Sequence, residues 1–142
     1  MKKILFISMM FISITSFSQD IITETGDTIV SINSKGIIFN STDQIVGKIL
    51  PNGNIQGAQN QLIGIVSGNE FKNSSGTQIA ILNVVSNSQV QVKDINNLLL
   101  ATVYEGVTIV GPNNEFILGS SEPINQISLA AYFFFFHSNS GN

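Results

Sequence analysis

The chain has no cysteine, no arginine and a single histidine, His137. Each absence closes off a chemistry. Without cysteine there is no disulfide framework, no thiol nucleophile and no lipid-attachment cysteine. One histidine and no thiol cannot furnish the usual three or four zinc ligands, and a Ser-His-Asp triad would have to be built on His137 alone. Lysine is scarce too. Of six basic residues, Lys2 and Lys3 stand at the very start, which leaves Lys35, Lys48, Lys72 and Lys93 against nine acids. The whole-chain formal charge of −3 becomes −5 once the first two lysines are removed. That balance offers no basic stripe for nucleic acid and no electrostatic attraction to anionic membranes.

Long apolar runs are equally short in supply. Ile4 to Phe17 is mostly apolar but falls below the roughly 20 residues a spanning helix needs. With Lys2 and Lys3 ahead of it and Ser16-Phe17-Ser18 behind it, the run has the form of a signal peptide, residues 1–18, cleaved between Ser18 and Gln19. The expected product is exported, periplasmic or secreted, without a transmembrane helix. The remaining residues suffice for one domain with a sizeable core.

What the chain does have is self-similarity. The segments "IIFNSTDQIVGKI" (37–49), "NIQGAQNQLIGIV" (54–66), "EFKNSSGTQIAIL" (70–82), "QVKDINNLLLATV" (91–103) and "IVGPNNEFILGSS" (109–121) share one layout, and "DIITETGDTIVSI" (20–32) is a weaker version. Small residues anchor six units at Ser31, Gly47, Gly64, Ala80, Ala101 and Gly119, at intervals of 16, 17, 16, 21 and 18 residues. Nine positions earlier stand Ile22, Ile38, Ile55, Phe71, Val92 and Val110; one position earlier stand Val30, Val46, Ile63, Ile79, Leu100 and Leu118. Four positions before each anchor come Asp27, Asp43, Asn60, Gly76, Asn97 and Glu115, residue types that favour tight turns.

This pattern predicts a strand–turn–strand unit, with Pro51 and Pro112 in turns. Apolar residues on either side of each anchor predict strands buried on both faces. The widest interval contains "NVVSNSQVQ", read as an elongated or bulged connection. Residues 19–122 are therefore expected to form an all-β domain, a closed, shallow, pseudo-symmetric barrel of hairpin units. Repeats near 17 residues also suit a β-solenoid, whose ends could stack into a self-assembling scaffold.

After the last unit the chain runs into "AAYFFFFH". Ser120 or Ser121 is a candidate helix cap, Glu122 suits the positive end of a helix, and Pro123 is tolerated in a first turn. From Leu129 to Phe136 the segment is apolar all round, so it must be buried all round. The lumen of the barrel is the available place. Residues 123–137 are expected to form a hydrophobic plug helix in the barrel centre, with 138–142 as a disordered tail. A last strand is the competing form, since phenylalanine also favours sheets.

The "IVGKI", "LIGIV" and "ILGSS" cores, the Asx/Gly turns and the hydrophobic C-terminal segment together resemble the five-fold beta-flower family of exported bacterial proteins. The count here is six units rather than five. The resemblance implies a shallow barrel, Tubby-like in general shape, around a hydrophobic helix. It implies no established activity, and the chain lacks a basic phosphoinositide pocket.

Candidate chemistry is sparse. Asp27, Asp43 and Glu115 would ring one rim, where oxygen-rich turns can hold calcium or a glycan, although turn propensity explains the same residues. His137 is expected at a solvent-facing helix end. The glycines lack the strand–loop–helix context and the lysine of a phosphate loop. Asn40-Ser41-Thr42 and Asn73-Ser74-Ser75 match a glycosylation pattern and, in a chain that resembles a bacterial export substrate, are read as chance matches. No catalytic, cofactor-binding or metal residue is assigned. The expected role is a non-catalytic binding or structural module of the envelope, its partner a lipid, a glycan or an envelope protein; a hydrolase is the remotest reading.

Overall fold

A computed structural model describes residues 18–138. The expected leader, apart from Ser18, and the tail after Ser138 lie outside the described residues.

Six hairpins follow one another: β1 (Ser18–Ile22) with β2 (Thr28–Asn33), β3 (Ile37–Asn40) with β4 (Ile45–Ile49), β5 (Asn54–Gly57) with β6 (Leu62–Ser67), β7 (Glu70–Asn73) with β8 (Gln78–Ser86), β9 (Gln89–Asp94) with β10 (Leu99–Tyr104), and β11 (Thr108–Val110) with β12 (Phe116–Ser120). Every strand pairs antiparallel with its sequence neighbours, and β12 returns to β1, so the sheet closes into a 12-strand barrel. Closure overturns the solenoid alternative: a meander that ends beside its own start has no open coil face on which another copy could stack. At the seam Ile21 lies opposite Ser120 and Ile22 opposite Gly119. Asp20 and Ser121 then lock it, Ser121 N donating to Asp20 O at 2.8 Å and Asp20 N to Ser121 Oγ at 2.9 Å.

The register defines the equivalent positions. Ile21 faces Val30, Ile38 faces Gly47, Ile55 faces Gly64, Phe71 faces Ala80, Val92 faces Ala101 and Ile109 faces Leu118. The small-residue column therefore holds in four units only. In the first and last hairpins the true equivalents are Val30 and Leu118, one residue before Ser31 and Gly119. Immediately toward the turn, each second strand skips one residue in the pairing: Ile29, Val46, Ile63, Ile79, Leu100 and Ile117. These six β-bulges explain the apolar residue beside each anchor. The bulged residues pack part-buried against the core, while burial otherwise alternates, as in Ile45–Ile49 where only Gly47 and Ile49 are buried. Most strands are thus buried on the lumen face alone; only β10, at Ala101–Val103, and β12, at Leu118–Ser120, bury successive residues and so both faces. Bulges bend a strand and sharpen its twist, and six of them distribute the curvature that closure requires.

The barrel is filled by its own C-terminus. Twelve strands about 4.8 Å apart, tilted by about 40°, enclose a ring roughly 24 Å across. Half a sheet-packing distance of side chains, about 5 Å, on each wall leaves a lumen of about 14 Å, enough for one helix about 10–12 Å wide. Helix α1 (Gln126–Tyr132) continues as a π-helical turn over Phe133–His137. Leu129, Ala130, Ala131, Tyr132, Phe133 and Phe135 are buried in the core. On β4 and β6 the wall makes room for the phenylalanines by lacking a side chain: a Cβ on Gly47 would overlap the Phe136 ring and one on Gly64 the Phe135 ring. Phe71 completes the cluster, its ring centroid 5.3 Å from Phe134 and 5.2 Å from Phe135.

The helix starts later than expected. Its cap is Asn125, whose Oδ1 accepts from Ile127 N at 2.9 Å and Ser128 N at 3.1 Å. Ser120 and Ser121 are unavailable as caps because Ser120 ends β12 and Ser121 is bound to Asp20. Residues 121–124 form an extended lead-in, held where Ile124 N donates to Gly106 O at 2.9 Å.

Candidate functional site

The two rims of the barrel differ in construction. On one, the two strands of each hairpin are joined by a five-residue turn with a left-handed residue in fourth place. Those residues are Gly26, Asp43, Asn60, Gly76, Asn97 and Asn114. Asp43 occupies this position as expected, whereas Asp27 and Glu115 stand one residue beyond it, because the same one-residue offset separates the outer hairpins from the inner four.

Each turn also caps itself. In the second turn Asn40 Oδ1 accepts from Thr42 N and Gln44 N at 2.9 and 3.0 Å; Asn73 and Asp94 do the same in theirs. Where the first position is glycine, the acceptor comes from the far side of the turn. Glu115 Oε1 accepts from Asn113 N at 3.0 Å, and Glu115 fills the space a Gly111 side chain would take; Gln61 stands in the same relation to Gly57. Glu115 is thereby a turn-forming residue, and Asp27 is tied to its own turn through Thr25 Oγ1 at 2.9 Å. Among the described residues no group of three His, Cys, Asp or Glu side chains is placed to hold a metal ion. His137 ends the plug at this rim. It is half-buried rather than solvent-facing, its ring 6.3 Å from Phe133, and burial lowers its pKa.

The opposite rim holds the concave surface. Here the hairpins are linked to one another by short turns, and each turn is bonded forward onto the next unit: Ile49 N to Gly36 O, Val66 N to Gly53 O, Leu82 N to Asn69 O and Glu105 N to Ser88 O, all at 2.7–2.8 Å. The last step of this stair carries Ile124, which leads into α1. The plug therefore enters the lumen from this rim, and its first turn stands clear of the wall.

Three adjoining hollows surround that first turn, with volumes of about 590, 300 and 270 Å3. Asn125 borders all three, Ile127 joins the first to the third, and Ser128, Leu50 and Pro51 join the third to the second. Together they make a groove running around the helix start from β1 and β2 to the β8–β9 turn and Glu105, just after β10. Its largest part has an apolar floor of Val84, Val90, Ile124 and Ile127 and polar walls that include Asn87 and Glu105. Gln126 crosses this part, its Nε2 donating to Asn87 O at 2.8 Å. Gln126 Oε1 is buried without a hydrogen-bond partner among the described residues.

Nothing in the residue pattern pointed to this groove. It is made where the lead-in, the helix cap and the long β8–β9 hairpin meet, and the only linear trace is the extra length between Ala80 and Ala101. The chain matches no protein-family model, no curated protein and no solved structure.

Proposed function

We propose that this protein is a non-catalytic, exported binding module of the bacterial envelope, that its six hairpins are copies of one unit related to the five-fold beta-flower barrels, and that it binds through the groove around the start of α1. The groove carries the proposal: an apolar floor with a few polar groups along its walls, in a volume suited to a ligand of small-molecule or short-segment size. The opposite rim fits the non-catalytic reading, because its carboxylates Glu115 and Asp27 are engaged in their own turns.

Burial supports a water-surrounded barrel rather than a lipid-facing one. Lumen positions such as Ile38, Ile55, Val92 and Val103 are fully buried, while Lys48, Gln56, Lys72, Gln91 and Lys93 alternate with such positions along the strands. Barrels that span membranes have the reverse order and strands of about 9–11 residues; here only β8 reaches 9. Among the described residues no helix is long and apolar enough to cross a membrane.

Native mass spectrometry of the protein purified from its own cell envelope tests the reading. A monomer with a reproducible adduct, lost when Ile127→Glu places a charge on the groove floor, is expected. An adduct-free ladder of oligomers would overturn it in favour of a scaffold.

A further inference from the structure

A closed barrel has no strand edges, yet one stretch of this one escapes closure. Strand β8 is longer than its neighbour β7. Their pairing stops at Ile81 opposite Glu70, and the last bond between the two segments runs from Leu82 N to Asn69 O. Backbone groups alternate sides along a strand. Leu82 therefore points toward β7, Asn83 toward β9, and Val84 again toward the β7 side, where the chain has already turned away through Ser67–Glu70. By this alternation the Val84 N–H and C=O face away from β9, on the side where β7 has already ended. Val84 and Val85 are each 51 % exposed, and Val84 also lines the largest part of the groove.

Free edges in soluble proteins are ordinarily blunted by charge, proline, bulges or shortness. Residues 83–91, "NVVSNSQVQ", contain no charge and no proline, and a bulge at Val85 leaves Val84 as the regular edge position of the overhang. The charged residue that lines the groove beside the overhang is negative, Glu105; Glu70 of β7 and Lys93 of β9 both pair with Ile81 and offset one another there. We propose that the β8 overhang is a docking site for an extended, apolar, lysine- or arginine-bearing segment of a partner protein. The segment adds as a strand beside Val84, lays alternate side chains into the groove, and sets its cation near Glu105. This rests on the reading of the groove as a binding site and names its occupant.

Size and charge decide between a partner segment and a second copy of this chain. Four overhanging residues, interrupted by the Val85 bulge, give at most roughly 13 Å of edge, too little by itself to supply the 800 Å2 or so per partner of a stable dimer. Two copies would also bring Glu105 against its own equivalent. A single extended strand instead gains main-chain hydrogen bonds from the edge and apolar burial from the groove, as strand addition does elsewhere.

The test is fluorescence anisotropy with the labelled hexapeptide Val-Thr-Val-Thr-Lys-Thr and the exported chain. Binding is expected, weakened at least ten-fold when alternate peptide amides are N-methylated. Glu replacing Lys in the peptide, or Glu105→Asn in the protein, is expected to weaken it several-fold. Val84→Pro removes the free amide without touching a β8–β9 bond and should match the effect of N-methylation. Equal binding of the N-methylated peptide would overturn strand addition while leaving the groove as a site. Failure of the peptide to bind a protein that still carries a native adduct would overturn the inference alone; failure of both removes the binding reading as well.

Discussion

The Phe135 ring occupies the space in which Gly64 would carry a side chain, and Phe136 stands in the same relation to Gly47. Plug and wall are therefore fitted at the level of single carbon atoms. At two of the four equivalent small-residue positions, Gly47 and Gly64, the ring lying opposite leaves no room for a side chain.

Gly64→Ala is expected to destabilise the protein by about 1–3 kcal/mol, the usual cost of overpacking. The glycine has no left-handed backbone to preserve, so the loss is steric. Thermal unfolding followed by circular dichroism would show it, and combining the change with Phe135→Leu should give less than the sum of the two losses, because the residues share one space. Additive effects would mean that ring and glycine do not constrain one another.

The barrel, its hairpins and its plug are legible in the chain because they rest on local and periodic signals: turn residues every 16 to 21 positions and an apolar tail that no exposed segment could carry. What escaped the pattern is non-local. The offset in the first and last hairpins makes Gly119 look like the equivalent of Gly64, yet Gly119 lies on the closing seam near Phe116 and Ile22. Asn125 was hidden as a cap because Ser120 and Ser121 have the right chemistry and are claimed by the seam. The groove depends on the overhang of β8 past β7, a difference of strand lengths that no single segment displays.

The turns of the acidic rim make a separate test. Asn60 has φ 66° and Asp43 has φ 63°, a region that costs most L-residues about 1–2 kcal/mol. Asn60→Val should lose about that much, while Asp43→Gly should be neutral or slightly stabilising, since glycine adopts the conformation freely. If these residues serve the turn rather than a cation, millimolar calcium will leave the melting temperature of wild type and Asp43→Gly equally unmoved. A calcium-dependent rise abolished by Asp43→Gly would show that the rim binds metal.

Removal of everything from Pro123 onward should leave no stable monomer. Leu129, Phe133 and Phe135 each contribute roughly 2–3 kcal/mol of burial, a sum comparable to the whole stability of a domain, and the lumen-facing residues around them would be opened to water. Loss of cooperative unfolding together with binding of a hydrophobic dye is expected. A truncated chain that melts cooperatively as a monomer would show that the barrel does not need its plug.

The plug also sets how stability varies with pH, with opposite signs at its two titrating groups. Burial pushes the Tyr132 phenol up to about 12 from 10.0. The folded state thus holds a proton that the unfolded state gives up, so this contribution is whole below pH 10 and is lost as pH rises from 10 toward 12. Burial moves His137 the other way, below its ordinary 6.5. There the unfolded state binds the extra proton, so stability is whole above 6.5 and falls as the pH drops through that value toward the folded pKa. Denaturant melts from pH 5.5 to 11 should show both declines, with Tyr132→Phe flattening the alkaline one and His137→Gln the acidic one. If Tyr132→Phe left the alkaline loss unchanged, the phenol would not be titrating inside the barrel, and the burial of the helix around it would have to be revised.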